Sequence, residues 1–276
     1  MDLILIRRRV LVAVLACGAV FAGLATSAEA ASRTHGTLLH ITKPRASFQA
    51  AQSSNWFGYN QGTLEQGGKM FHAITGDWTV PTATQHTAGQ DEASSDWIGI
   101  GGGCLDAACT VGDNTLIQTG TEQDVSANGT ASYSAWYELI PAPSLTISGI
   151  TVHPGDHMHA SISEVVSGAE VWNITLQDVT TGQSFSTTVP YPSTHATAEW
   201  IEETPLTFGT SGAGLAALPN LTNVPFSAAT TNGANAGLKT SEEIQLVDSS
   251  GNVIGTPSAP NSTADGFTEC AWATRC

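Results

Sequence analysis

The chain after Asn55 consists of short runs rich in β-branched and aromatic residues, which are separated by turn residues roughly every ten positions. Turn sequences such as Pro154-Gly155-Asp156 and Thr181-Gly182 lie between the runs. No window of similar length has apolar residues at the helical period of about 3.6 residues. The pattern therefore predicts an all-β sandwich or barrel. The predicted strands are 73–80, 95–100, 115–120, 132–140, 159–166, 171–179, 184–189, 197–202 and 243–248, and the Gly-, Ala-, Asn- and Thr-rich stretch 209–237 is interpreted as loop.

The first thirty residues have the pattern of an export signal. Three arginines at 7–9 precede an apolar run that ends before Ala28-Glu29-Ala30. The run is about 15 residues long, shorter than the ~20 that a membrane-spanning helix needs. We predict that residues 1–30 are a cleaved signal peptide, that the protein is secreted to the extracellular space, and that it has no membrane association after cleavage.

Residues 31–50 differ in composition from the rest of the chain, because they contain Arg33, Lys43 and Arg45 in a stretch with weak periodicity. We expect a short pro-segment or linker here, followed by one domain at 51–276. A basic pro-segment would be held over an acidic cleft by opposite charge until acid neutralises the carboxylates.

The charge of the chain excludes some partners. Its net charge is −15 at pH 7, with 9 Lys and Arg against 24 Asp and Glu, and no cation lies between Met70 and Leu238. Such a surface cannot bind nucleic acid or an anionic membrane through phosphate contacts. Because carboxylates become neutral in acid, the chain would gain little positive self-repulsion there, which favours a protein adapted to low pH. An acidic surface that serves only solubility at neutral pH is the alternative.

The cysteines and histidines are candidates for disulfide bonds and metal binding. Four cysteines follow the signal peptide, and proximity favours the pairs Cys104–Cys109 and Cys270–Cys276, although sequence leaves the connectivity open. His157 and His159 share one side of a predicted strand with Glu164 downstream, a weak indication of a cupin-like metal set. The glycines that frame such a motif are absent, so we expect no metal and no organic cofactor.

Six short motifs occur along the chain, and their order is more informative than any one of them. They are Asn55-Trp56, Gly76-Asp77-Trp78-Thr79-Val80-Pro81, Trp97-Ile98-Gly99-Ile100, Gln118-Thr119-Gly120, Trp136-Tyr137-Glu138 and Ala198-Glu199-Trp200-Ile201-Glu202. This order resembles the glutamic peptidase family, or eqolisins, from about Asn55 to the C-terminus. The resemblance implies a β-sandwich of two curved antiparallel sheets, a concanavalin-like jelly roll, with a Gln/Glu pair on the concave face of one sheet.

The resemblance also implies roles for individual residues. The catalytic Glu and Gln correspond to Glu199 and Gln118, a supporting aromatic to Trp97, and a supporting Tyr to Tyr137. Where the fungal form of the family has acidic residues, this chain has Gly101 and Gly103, which leaves substrate preference and acid optimum open.

Two further carboxylates are candidates for supporting the pair. The two-residue strand period places Glu122 on the same side as Gln118, and members of the family have Asp at that position. Glu202 faces away from Glu199 unless a bulge intervenes, so Glu199 is the preferred catalytic residue.

The chemistry of this pair suits peptide hydrolysis in acid. Hydrolysis needs a base that takes a proton from water and a donor directed at the carbonyl oxygen as it becomes negative. In acid a His is protonated, whereas a Glu with a pKa near ~4.3 exists in both forms, and the amide of Gln118 donates throughout this range. We predict a secreted acid endopeptidase that acts on polypeptides and is monomeric.

Two other functions fit a β-sandwich of this composition. A glycoside hydrolase would need two carboxylates about 5–9.5 Å apart across a Trp-lined cleft, which Glu199 with Glu138 or Glu122 would supply. A lectin-like binding module would bind carbohydrate without turnover.

Overall fold

The computed structural model describes residues 32–34, 51–209 and 212–276, so the predicted signal peptide and most of the predicted pro-segment lie outside the described residues. The described residues are almost entirely strands, with one single-turn 3₁₀ helix at Thr240–Glu242. The strands are β1 Ser32–Thr34, β2 Ala51–Ser53, β3 Trp56–Gly62, β4 Ala73–Thr79, β5 Ala83–Thr84, β6 Glu92–Gly101, β7 Leu116–Val125, β8 Ala131–Leu139, β9 Leu145–Thr146, β10 His157–Glu164, β11 Val171–Asp178, β12 Ser184–Pro190, β13 Thr197–Glu203, β14 Leu206–Gly209, β15 Gly212–Leu215, β16 Asn220–Leu221, β17 Val224–Thr231, β18 Ala234–Asn235, β19 Glu243–Val247, β20 Val253–Pro257 and β21 Phe267–Ala271.

The strands form an antiparallel β-sandwich, as predicted from sequence. Hydrogen-bonded neighbours follow one path, β12-β11-β10-β4-β17-β21-β20-β19-β3-β13-β6-β7-β8-β9. The path folds over on itself, so that β4 and β10 pack face to face against β6 and β7. Side chains such as Ile74, Trp78, Ile98, Ile162 and Trp200 fill the space between the two layers.

The burial pattern distinguishes the two layers. β4, β10 and β11 alternate between buried and more exposed positions, the pattern of a sheet with one face on the core. β3, β6 and β13 are buried at every position, so both faces of this part of the second layer are excluded from solvent. Any side chain on these three strands is therefore held in a poorly hydrated environment.

The prediction of a loop at 209–237 is wrong, because this stretch contains β17, which pairs with β4 on one side and β21 on the other. Its alternation changes phase: Val224 and Phe226 are buried, and then Ala229 and Thr231. The register shift between Ser227 and Thr230 inserts a bulge at this point. A bulge adds one residue to one strand, so a search for a strict two-residue period misses such a strand.

Both predicted disulfide bonds are present. Cys104 is bonded to Cys109, and Cys270 is bonded to Cys276. Each bond closes a short loop, so it fixes local geometry and does not join distant parts of the fold. Within the described residues, no helix has the length and apolar character needed to cross a membrane.

Three carboxylates are enclosed between the layers at one end of the sandwich. Asp96, Glu202 and Glu269 are each at most 1% exposed, and one oxygen of each lies within 4.8 Å of the others. The Gln123 amide donates to Glu202 at 3.3 Å, and the backbone N–H of Glu202 donates to Glu269 at 3.1 Å. Among the described residues, no Lys or Arg forms an ion pair with them. Burial raises the pKa of all three carboxyls, and the negative charge of Glu202 raises those of Asp96 and Glu269 further.

These raised pKa values predict that the folded protein is most stable in acid. The unfolded carboxyls release protons near pH ~4, whereas the folded ones keep them to higher pH. The folded state therefore binds more protons above that pH, and the free energy of unfolding decreases as pH rises through the raised pKa values. We expect urea unfolding to show this decrease between pH 4 and pH 8, and Asp96→Asn to make it smaller.

An exposed carboxylate provides the control for this measurement. Glu170 is exposed, so Glu170→Gln should leave the difference in unfolding free energy between the two pH values unchanged. Equal pH dependence in the wild type and in Asp96→Asn would show that the buried carboxylates do not control the stability.

Candidate active site

The residues predicted to be catalytic lie on the face of β3, β13, β6, β7 and β8 that points away from the inter-layer core, here called the outer face. Register defines this face, because residues directly opposite each other on paired strands point to the same side. Trp56, Trp97, Leu116, Trp136 and Ile201 form an apolar cluster on it. The outer face is therefore a second buried surface that is separate from the core of the sandwich.

Glu199 and Gln118 lie in one row across this face. Glu199 on β13 is opposite Gly99 on β6, and Gly99 is opposite Gln118 on β7. Strands in a sheet are about 4.8 Å apart, so the Cα atoms of Glu199 and Gln118 are roughly 10 Å apart. The strand between them contributes no side chain at this position, since it has Gly99. The two long polar side chains therefore lie on either side of a position that has no side chain of its own, the position above Gly99, here called the gap.

Apolar groups form the floor of this gap. A methyl group added at Gly99 would lie 2.8 Å from Cζ3 of Trp97 and 2.9 Å from Cδ1 of Leu116. The Trp97 ring packs edge-on against Trp56 at 4.8 Å between centroids, and its Nε1 donates to Glu203 at 3.0 Å. Trp97 is therefore fixed between the two polar residues, where it keeps the local dielectric low.

Glu199 is a carboxyl group in a desolvated position. It is 0% exposed, and neither of its oxygens accepts a hydrogen bond of normal geometry from the described residues. Burial raises the pKa of Glu199 well above its usual value; the nearby Thr197 hydroxyl opposes this, and the negative charge of Asp113 adds to it. The carboxyl group is thus prepared to exchange a proton rather than to form an ion pair.

Gln118 is held by a neighbour on the next strand. Glu138 lies opposite it in the β7–β8 register, and Nε2 of Gln118 donates to Oε2 of Glu138 at 3.0 Å. Both residues are at most 1% exposed. Since a carboxamide nitrogen carries two hydrogens, the one given to Glu138 fixes the orientation of the amide group.

The loop after β6 covers Glu199. A methyl group at Gly103 would lie 2.6 Å from Oε1 of Glu199 and 1.7 Å from Oδ1 of Asn60. Asn60, which is opposite Glu199 in the β3–β13 register, forms paired hydrogen bonds of 2.8 and 2.9 Å with the backbone of Cys104. The absence of a side chain at Gly103 thus allows the loop to approach the carboxyl group closely.

The other predicted site residues are divided between the two faces. Trp97 lies between the catalytic candidates, and Glu122 shares their face but is four residues along β7 from Gln118, roughly 13 Å away. Tyr137 is on the opposite face, where it packs with Phe185 against the inter-layer core. The structure therefore does not bring Tyr137 to the site, because the strand period that directs Glu138 to the outer face directs Tyr137 inward.

Glu202 also faces inward, where it belongs to the buried carboxylate group with Asp96 and Glu269. No bulge interrupts its pairing with Asp96, so the strand period holds through β13. The structure therefore places Glu202 away from the Glu199 and Gln118 pair.

Three residues near the pair are not among the predicted site residues. Glu138 bonds to Gln118, Asn60 lies opposite Glu199, and Asp113 acts on Glu199 through its charge. The motif Trp136-Tyr137-Glu138 could have indicated Glu138, because Trp136 and Glu138 share a face in any regular strand. Nothing in the sequence indicates Asn60 or Asp113, since the pairing of β3 with β13 brings Asn60 beside Glu199 and the tertiary fold brings the charge of Asp113 within range of it.

His157 and His159 do not form a metal-binding set with Glu164. His157 and His159 each contact a different oxygen of Asp77, at 3.0 and 2.5 Å, and neither contacts Glu164. Among the described residues, the two groups with metal-ligand chemistry are Asp96 with Glu202 and Glu269, and His72 with Glu164 and His195. Neither group includes Glu199 or Gln118, so the gap between that pair has no metal ligands from these groups.

Comparison with known proteins gives consistent matches. The model of the Peptidase A4 family matches residues 54–265. Aspergillopepsin-2 from Aspergillus niger is 27% identical over 225 residues, 73% of this chain and 73% of that protein. Scytalidopepsin B from Scytalidium lignicola is 31% identical over 140 residues, 50% of this chain and 45% of that protein.

A solved structure agrees with the fold. The crystal structure of scytalido-glutamic peptidase with a transition state analog inhibitor superposes with a TM-score of 0.60 at 21% identity, covering 79% of this chain and 98% of that one. At this identity the likeness concerns the architecture of the sandwich.

The contact at Gly103 generates a prediction about the stability of the site. Gly103→Ala should break the Asn60–Cys104 pair or displace the loop, and overpacking of this kind costs about 1–3 kcal/mol of unfolding free energy. Gly112→Ala in the same loop is the matched control, because the nearest atom to its added methyl group is 3.9 Å away. Equal urea-unfolding curves for the two variants would contradict the close contact.

Proposed function

Because the chain belongs to the Peptidase A4 family and is a glutamic-type peptide hydrolase, we propose that Glu199 is its general base and Gln118 its oxyanion donor. The observation that carries this proposal is the row in which Glu199 and Gln118 flank Gly99 on the outer face. An extended polypeptide rises about 3.3 Å per residue, so a single amide fits between two side chains whose Cα atoms are roughly 10 Å apart.

The first step is the attack of water on the scissile carbonyl carbon. Ionised Glu199 takes a proton from the water as the new C–O bond forms, and the carbonyl oxygen becomes negative. The protonated Glu199 then gives this proton to the amide nitrogen, and the C–N bond breaks to release an amine and a carboxylic acid. One residue therefore serves as base and then as acid, and protons and bonds balance.

The second requirement is a donor for the oxyanion. Gln118 is held by Glu138, so its amide is oriented before the substrate binds. A preorganised donor of this kind is worth about 2.7–4 kcal/mol, or roughly 10²–10³ in rate. The apolar floor of Trp97 and Leu116 strengthens this interaction, because electrostatic energies increase as water is excluded.

The disulfide bonds and the buried carboxyls support a secreted endopeptidase whose fold is stable in acid. The paired cysteines are typical of an oxidising compartment, and the buried carboxyls keep the fold stable when protonated. Family membership favours peptide hydrolysis over the glycoside hydrolase and lectin-like alternatives.

Substitution of the two residues tests the assignment. Glu199→Gln should abolish cleavage of denatured casein, since the amide cannot accept the water proton. Gln118→Ala should lower kcat by about 10²–10³ with little change in KM, because the lost interaction forms only in the transition state. Steady-state kinetics measures both effects.

The exposed Glu170→Gln serves as the carboxylate control, and near-ultraviolet circular dichroism checks that each variant is folded. Near-normal turnover by a folded Gln118→Ala protein would contradict the oxyanion role. Hydrolysis of a polysaccharide, with no cleavage of casein at any pH from 2 to 8, would favour the glycosidase alternative.

The position of Asp113 predicts how the pH profile can be shifted. Only ionised Glu199 acts as a base, so kcat/KM should increase with pH until the raised pKa of Glu199 is passed. Asp113→Asn removes a negative charge that raises this pKa, so the acid-side limb of the kcat/KM profile should move to lower pH. A limb that stays in place, or moves to higher pH, would contradict the assignment of Glu199 as the base.

A further inference from the structure

A second group of polar side chains lies apart from Glu199 and Gln118. It consists of His72 just before β4, Glu164 at the end of β10, and His195 just before β13. Backbone hydrogen bonds fix all three segments: Glu164 donates its N–H to the carbonyl of His72 at 2.8 Å, and the carbonyl of His195 accepts from Phe71 at 2.9 Å. The three side chains are therefore placed by the fold and not only by contact with each other.

Their ligand atoms converge on one point. Nδ1 of His72 is 2.7 Å from Oε2 of Glu164, and Nε2 of His195 is 3.4 Å from the same oxygen. All three atoms lie within 4.8 Å of one another. The two imidazole rings approach to 4.7 Å between centroids, so the two nitrogens and the oxygen surround a common space.

His195 has no other use for its ring nitrogen among the described residues. Its Nε2 is buried and forms no hydrogen bond, and the residue is only 8% exposed. Its backbone has φ 57°, a left-handed conformation that a residue with a Cβ seldom adopts. The ring also packs against Trp172 at 5.1 Å. The chain thus holds a buried nitrogen, directed at Glu164, in an unfavourable backbone conformation.

Glu164 has the second contact that metal-bound carboxylates usually have. Its Oε1 accepts the backbone N–H of Glu170 at 2.8 Å, which leaves Oε2 directed at the two histidines. Such outer contacts orient a ligand before the metal arrives. The Glu164 side chain is 1% exposed and that of His72 is 35% exposed, so the group is open to solvent on the His72 side.

We propose that His72, Glu164 and His195 bind a divalent transition metal ion of the zinc class. Two imidazole nitrogens and one carboxylate oxygen are a common donor set for zinc, with water as the fourth ligand. Bond lengths of about 2.0–2.2 Å place tetrahedral ligands roughly 3.3–3.5 Å apart, and the distance from His195 to Glu164 already has this value. The shorter contact of His72 lengthens by a small rotation of its partly exposed ring.

The other histidine pair provides a comparison within the same molecule. His157 and His159 each bind a separate oxygen of Asp77, and their side chains are 47% and 39% exposed. Both oxygens of Asp77 are thus used, and the arrangement is a satisfied ion pair at the surface. Within the part of the chain that the structure describes, only the His72, Glu164 and His195 group combines a buried, unbonded nitrogen with convergent ligand atoms.

The bound ion would join three segments of the fold. It would connect the segment before β13 to β4 and β10, and β13 carries Glu199 four residues after His195. The ion contacts none of the residues in the proposed mechanism, so this inference is independent of the proposed function. The inference predicts that metal binding stabilises the fold.

The test is metal binding by the purified full chain after treatment with a chelator. Isothermal titration with Zn²⁺ at pH 7.5 should show one equivalent bound per chain, and Co²⁺ should give the absorption of a four-coordinate site. Zinc should also raise the Tm, because a ligand that binds only the folded state stabilises it.

Two variants remove ligands with little effect on the fold. His195→Asn tolerates the left-handed backbone conformation, and His72→Gln changes a partly exposed ring. Each should weaken zinc binding at least about 100-fold and abolish the increase in Tm, whereas His157→Asn should bind zinc as the wild type does. Near-ultraviolet circular dichroism confirms that each variant is folded.

Three results would overturn the proposal: no stoichiometric zinc binding by the wild type, unchanged binding by folded His195→Asn, or loss of binding in His157→Asn. The first would mean that the group is only a hydrogen-bonded ion pair. The wild-type titration decides this even if a ligand variant fails to fold.

Discussion

The register of β13, β6 and β7 is the constraint on which the site depends. Glu199, Gly99 and Gln118 lie opposite one another in consecutive antiparallel pairs, so the backbone hydrogen-bond ladder sets the spacing of the two functional side chains. A slip of one residue would turn either side chain into the inter-layer core. The gap between them exists because the middle strand has a glycine there. The backbone pairing thus holds the side chains of Glu199 and Gln118 at a fixed separation above apolar residues.

The burial of carboxyl groups affects both the stability of the fold and the chemistry of the proposed catalytic pair. Asp96, Glu202 and Glu269 lie inside the sandwich and Glu199 lies on the outer face, and in each case burial is the largest cause of a raised pKa. The chain has almost no Lys or Arg to neutralise such groups, so protons do so instead. The folded state, whose buried carboxyls are protonated, is therefore more stable in acid than at neutral pH. Asp77 and Glu164, whose pKa values are lowered, are instead paired with histidines.

β13 joins these features. His195, two residues before β13, belongs to the proposed metal site, and on the strand itself Glu199 belongs to the proposed catalytic pair and Glu202 to the buried carboxylate group. Glu199 and Glu202 are three residues apart, so the strand period directs them to opposite faces. One seven-residue strand thus places a proton-exchange group on one side and a pH-dependent structural group on the other. Because β13 pairs with β3 on one side and β6 on the other, a change in its position would affect all three places.

Sequence alone predicted the class of fold, nine of the strands and the two residues proposed to be catalytic, and it favoured the two disulfide pairs that the structure contains. These follow from local information: two-residue periodicity, short loops between cysteines, and a motif order that resembles one family. Tertiary structure decided what depends on register between distant segments. It placed Tyr137 and Glu202 on the inner face, it brought Glu138, Asn60 and Asp113 to the pair, and it joined His72 to Glu164 and His195. β17 was missed in the sequence because its bulge interrupts the two-residue alternation. Only its pairing with β4 and β21 shows that the residues on both sides of the bulge belong to one strand.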